Sequence, residues 1–139
     1  KKAPSKLIHG LAFGAYNKNI ENPKTLFDWL STDDMKVQEY IDDEFCGIPV
    51  TNGFYQDFMH GMQCIAESEK DISYHKKILF ISGDKDPVGK MGSFVRENYE
   101  RYINAAEAEI KLYNGLRHEI LNEIGREEVY ADIVEWLKK

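Results

Sequence analysis

Asp84, Asp86 and His118 are the residues whose types and placement could do chemistry. The two aspartates lie in the stretch K-I-L-F-I-S-G-D-K-D-P-V-G at 77–89, behind the unbroken apolar run Ile78-Leu79-Phe80-Ile81. A short apolar run bounded by turn residues predicts a strand buried on both faces, and Pro87, with no N–H to give, places the strand's end before it. Carboxylates just past the carboxyl end of such a strand sit where open α/β sheets carry their sites. His118 follows a second predicted strand, Glu109–Tyr113, after the break at Asn114-Gly115. A carboxylate bonded to one imidazole nitrogen fixes the tautomer and supports the imidazolium formed when the other nitrogen takes a proton. An Asp–His pair of this kind is two-thirds of a nucleophilic triad.

The elements that must position the pair follow from periodicity. Met91, Phe94, Val95, Tyr99, Tyr102 and Ile103 predict an amphipathic helix to about Ala106 between the two strands. Two strands joined by one helix should be parallel, with their C-terminal loops at one end of the sheet. In the second strand Ile110 and Leu112 alternate with Lys111 and Tyr113, which predicts one wetter face near a sheet edge. A last helix, from about Arg126 to Lys138, should bury Val129, Tyr130, Ile133, Trp136 and Leu137. Upstream, Asp33 or Asp34 can cap a helix running to about Phe45, and Thr51 or Asn52 caps another with a stripe from Phe54 to Ala66. Leu7 to Tyr16 has helical spacing weakened by Gly10 and Gly14, the clump at Leu26, Phe27, Trp29 and Leu30 is too short to assign, and the charged stretch 67–76 reads as a connection.

Composition excludes several classes. With 139 residues, 42% apolar and 30% charged, the chain fits one ordered domain and is neither disordered nor membrane-spanning. A net charge of −6 without a basic stripe argues against nucleic acid or an anionic membrane as partner. Cys46 and Cys64 form no C-x-x-C pair, so free thiols and a reducing, cytoplasmic compartment are expected.

The segments I-S-G-D-K-D-P-V-G, K-L-Y-N-G-L-R-H-E-I-L-N-E and R-E-E-V-Y-A-D-I-V-E-W-L resemble the end of an α/β-hydrolase-fold serine hydrolase of the lysophospholipase, monoacylglycerol lipase-like or serine aminopeptidase-like group. F-G-A-Y-N, F-D-W-L-S, C-G-I-P and T-N-G-F-Y-Q-D-F resemble the helical cap of the same group. The resemblance implies an α/β fold: residues 1–70 as cap or lid, and 71–139 as the C-terminal β-α-β-α part of the core with its last two parallel strands. The family's G-x-x-D acid falls on Asp86, with Asp84 a close competitor, and its G-x-x-H base falls on His118. The resemblance also raises the prospect that Trp29, Phe54, Phe58 and Met62 face an acyl-binding pocket, beside the plainer reading of core or cap packing. It implies an ester or lysolipid substrate and no metal or cofactor.

The departure is the nucleophile. The family carries it in G-x-S-x-G, and none of Ser5, Ser31, Ser68, Ser73, Ser82 or Ser93 is flanked that way. The resemblance therefore implies a chain cut within or just before the cap, inactive by itself and partnered by an N-terminal half. Metal binding by Asp84 and Asp86 is a minor alternative, weakened by the intervening Ser82-Gly83. An alternative of another class is a non-catalytic module that self-associates through the open edge of Ile78–Ile81.

Overall fold

The computed structural model describes residues 3–68, 77–104 and 107–139. The expected connection beyond Ser68, His75 and the helix end at Ala106 lie outside these residues. Strands β1 (Lys77–Gly83) and β2 (Glu107–Tyr113) pair in parallel, from Lys77 against Glu107 to Gly83 against Tyr113. Helices α4 (Ser93–Tyr102) and α5 (Arg126–Leu137) flank them. Successive strand residues point to opposite faces. Phe80 accordingly meets Tyr99 and Tyr102 of α4, while Ile81 joins the cluster of Tyr113, Ile120 and Val129 on the α5 side. The apolar run of β1 is half-buried, short of the two-sided burial expected, because each of its side chains has one neighbouring strand among the described residues.

The alternation in β2 is as read: Glu109 and Lys111 keep 45% and 41% of their side chains exposed, and on their face only Tyr113 is buried. Tyr113 is buried, and its hydroxyl donates to Asp132 of α5 at 2.9 Å. Lys111 reaches Glu128 at 3.1 Å and also bonds Asp132. The ammonium lies over the Tyr113 ring, 4.9 Å from its centroid. A lysine stem covers apolar surface while its head finds acids, so Lys111 lies along the wetter face of the strand and ties it to α5. On α5 Val129 is fully buried and Ile133 and Trp136 half-buried, whereas Tyr130 and Leu137 are exposed. Val129→Ala removes two buried methyl groups from this small core. It is expected to lower the unfolding free energy by about 2 kcal/mol, read from the urea midpoint.

The N-terminal part is helical. Helix α1 (Lys6–Phe13) starts at Ser5, whose hydroxyl accepts the Ile8 N–H at 3.3 Å, runs through Gly10 and stops at Gly14. Helix α2 (Asp34–Asp42) is capped by Asp33, which accepts the Met35 N–H at 3.0 Å, and ends before the expected Phe45. Between them, the unassigned clump is a turn built on Asp28, whose carboxylate accepts the N–H groups of Lys24 and Thr25 at 2.6 and 3.1 Å. Asn17 joins the same turn, accepting the Trp29 N–H at 3.0 Å. Trp29 and Leu30 are thereby buried. Helix α3 (Asn52–Ser68) is held at its start, where Asn52 N–H bonds the Ala3 carbonyl at 3.1 Å and Pro4 bridges Thr51. None of its residues is buried, so its apolar stripe is not core. Among the described residues no helix is long and apolar enough to cross a membrane.

Candidate active site

The parallel register brings the loops after β1 and β2 to one end of the sheet, and backbone bonds lace them together. Asp84 N–H donates to the Tyr113 carbonyl at 3.0 Å and Lys85 N–H to that of Leu116 at 2.9 Å. The Asp84 carboxylate accepts the Gly115 N–H at 2.7 Å. At Gly83 the histidine loop passes so close that an added Cβ would lie 2.1 Å from the Leu116 carbonyl oxygen and 2.4 Å from that of Arg117. Only glycine leaves room for that approach.

This lacing places His118 Nδ1 3.1 Å from Asp86 Oδ1. The structure thus separates the two acids: Asp86 faces the imidazole, whereas Asp84 ties the loops. A carboxylate only accepts, so the bond puts the ring proton on Nδ1 and leaves the Nε2 lone pair to take another. Asp86 is 6% exposed. Burial alone would raise its pKa. The His118 bond and charge, with the N–H groups of Val88 (2.8 Å) and Gly89, outweigh this and hold the carboxyl below its usual range. The Asp86 bond raises the pKa of His118 against the opposing effect of burial. With 37% of its side chain exposed, the imidazole remains open to a reactant.

Trp29 joins the pair from the N-terminal part. Its ring lies against the imidazole at 5.2 Å between centroids, and its carbonyl accepts the His118 N–H at 3.4 Å. Trp29 also lines a pocket of about 530 Å³, walled by Phe13, Phe27, Tyr40, Phe45 and Phe54 as well. Of the aromatic and methionine candidates, then, the structure brings Trp29 and Phe54 to one pocket. Phe58 stacks on Phe54 at 6.0 Å but, like Met62, stands exposed on α3 and is not part of the pocket wall.

Sequence reasoning missed the residues that hold this arrangement from behind. The Arg117 guanidinium donates to the carbonyls of Asp28 and Ser31 at 2.5 and 2.8 Å. Glu119 N–H donates to the Leu30 carbonyl at 2.7 Å, and Glu123 is fully buried. The one signal in the sequence is an acid set among Ile120, Leu121 and Ile124. Among the described residues no three His, Cys, Asp or Glu side chains stand together as a metal site.

Comparison with known proteins agrees with this geometry. A carboxyl esterase from Bacillus coagulans, a highly thermostable enzyme solved with glycerol, superposes with a TM-score of 0.84 at 29% identity, over 99% of this chain and 46% of the esterase. A lipase in its open form superposes with a TM-score of 0.80 over 98% of this chain and 46% of the lipase; at 24% identity it shows the fold alone. This chain therefore spans less than half the length of either structure. No curated protein sequence matches it significantly. The two parallel strands and their flanking helices are the C-terminal part of an α/β-hydrolase fold, and the family model for serine aminopeptidase, S33 matches residues 2–125. The chain belongs to that family of α/β hydrolases.

Proposed function

We propose that this chain supplies the acid and the base of a Ser-His-Asp triad in an enzyme that cleaves carboxylic esters. The observation that carries the reading is the His118–Asp86 bond at the tips of neighbouring parallel strands, beside an aromatic-walled pocket. In this mechanism a serine on another part of the fold attacks the ester carbonyl. His118 Nε2 takes the serine proton and later delivers it to the leaving alcohol, while Asp86 holds the tautomer and stabilises the imidazolium. The second half of the cycle repeats the transfer with water in place of the serine.

Residues 1–70 serve as the cap. Their pocket has the size and apolar walls of a small-ligand site, which suits the acyl chain of a lipid-like ester such as a monoacylglycerol or a lysolipid. The exposed Phe58, Met59 and Met62 of α3 give that cap an apolar surface outside the pocket. A medium-chain nitrophenyl ester and an aminoacyl nitroanilide test the reading, offered both to this chain and to a protein joining it to the nucleophile-bearing part of the fold. The joined protein is expected to cleave the ester and the chain alone neither substrate. Cleavage of the aminoacyl amide alone, or ester cleavage unaffected by serine-directed phosphonates, overturns the proposal.

A further inference from the structure

The site holds a fully buried carboxylate that the acid–base pair does not use. Glu123 is 0% exposed, just after the turn Ile120–Asn122. Its Oε1 accepts the Arg117 N–H at 2.6 Å. Its Oε2 accepts the Thr32 N–H at 2.8 Å, the Ser31 hydroxyl at 3.3 Å and the Thr32 hydroxyl. Among the described residues no cation pairs with it, so hydrogen bonds alone offset its desolvation. The two groups it joins are functionally distinct. Arg117 immediately precedes the base. Thr32 continues the segment whose Trp29 ring lies on the imidazole.

We infer that Glu123 is a positioning residue for His118. It clamps the histidine loop to segment 28–32, so that the imidazole is held between Asp86 and the tilted Trp29 ring. The inference rests on the reading of His118 as the base.

The clamp needs a carboxylate in particular. Each oxygen faces a backbone N–H, Arg117 on one and Thr32 on the other, and backbone N–H groups cannot reverse their polarity as hydroxyls can. A glutamine of the same shape must turn its NH2 towards one of them, whichever way its amide is flipped. An aspartate is one methylene too short to span the same two partners.

The test is the titration of the His118 imidazole, followed by nitrogen-15 NMR on this chain. In Glu123→Gln the His118 pKa is expected to fall towards the ordinary value of about 6.5, with the proton no longer confined to Nδ1. Glu128→Gln, on the exposed side of α5, should leave both unchanged. A clamp that only stabilises would lower the urea midpoint and leave the His118 titration of the folded protein where it was; that outcome overturns the inference. Should Glu123→Gln fail to fold, Thr32→Val removes one donor while keeping the backbone N–H. It is expected to shift His118 in the same direction by less, and an unmoved titration again overturns the inference. In the joined protein, Glu123→Gln is expected to lower kcat on the nitrophenyl ester about 10²-fold with KM kept, as for a misplaced catalytic group. A joined protein that cleaves no ester before any substitution defeats the hydrolase reading and leaves the imidazole result standing.

Discussion

Gly83→Ala is expected to dislodge the histidine loop and cost about 3 kcal/mol of stability, the upper end of ordinary overpacking penalties. The added methyl would meet the carbonyl oxygens of Leu116 and Arg117 at 2.1 and 2.4 Å. Both are backbone atoms, so no side chain can swing away to make room. Either β1 and β2 lose their pairing at Gly83–Tyr113, or the loop lifts and carries His118 off Asp86. Urea denaturation measures the stability loss, and the imidazole spectrum shows whether His118 has left its partner. Gly10→Ala is the control: it sits within α1 with nothing within 4 Å of its added methyl, and there the exchange should stabilise by about 0.5–1 kcal/mol. A Gly83→Ala protein as stable as its parent, with His118 unmoved, would show that the loop yields more readily than its packing implies.

The larger functional effect is expected at Asp86. In the joined protein Asp86→Ala should lower kcat on the ester by about 10⁴-fold, the scale of losing the acid of a triad. The same change removes the main cause of the raised His118 pKa and leaves the opposing burial in place. The imidazole should then titrate at or below about 6.5. A linkage signature accompanies it. His118 is raised by the pair, so its contribution to stability is full below the unfolded value of about 6.5 and is lost as pH rises through its folded pKa. Asp86 is lowered, so its contribution is full above about 3.9 and is lost as pH falls through its folded pKa. The stability gap between the unmodified chain and Asp86→Ala should therefore be widest between about pH 4 and 6.5 and narrow on either side. A gap independent of pH would mean that the pair is not charged in the folded protein.

The pair itself was legible in the sequence because it rests on short-range signals. A strand ending in Ser82-Gly83 is followed at once by the acids, and a strand ending at Asn114-Gly115 by His118, with one helical period between them. Periodicity could not separate Asp84 from Asp86; that depends on which carboxylate turns to Gly115 N–H and which to the imidazole. Trp29 was visible only through resemblance, since a four-residue clump shows no period, and its place against His118 is fixed by the hydrogen bonds it donates to Asn17 and accepts from His118. Glu123 was not visible as a site residue, because its Oε2 partners lie 92 and 91 residues away at Ser31 and Thr32. The stripe on α3 shows the reverse failure: helical period predicted the helix correctly and could not say that its apolar side would face outward.

The separation of the clamp from the pair has a consequence for the order of assembly. Asp86 and His118 are 32 residues apart, whereas Thr32 and Glu123 are 91 apart. In a free chain the longer closure costs only about 0.9 kcal/mol more entropy, because the cost grows as the logarithm of loop length. Once β1 and β2 have paired, much of the intervening chain is already ordered, and the remaining loop is shorter than its residue count. Strand pairing and the Asp86–His118 bond should thus come first in folding, and the N-terminal segment docks onto two loops that have already met. Unwinding by the reverse route would free Trp29 and the clamp while Asp86 still holds His118, so the chain would lose its pocket before it loses the Asp86–His118 bond.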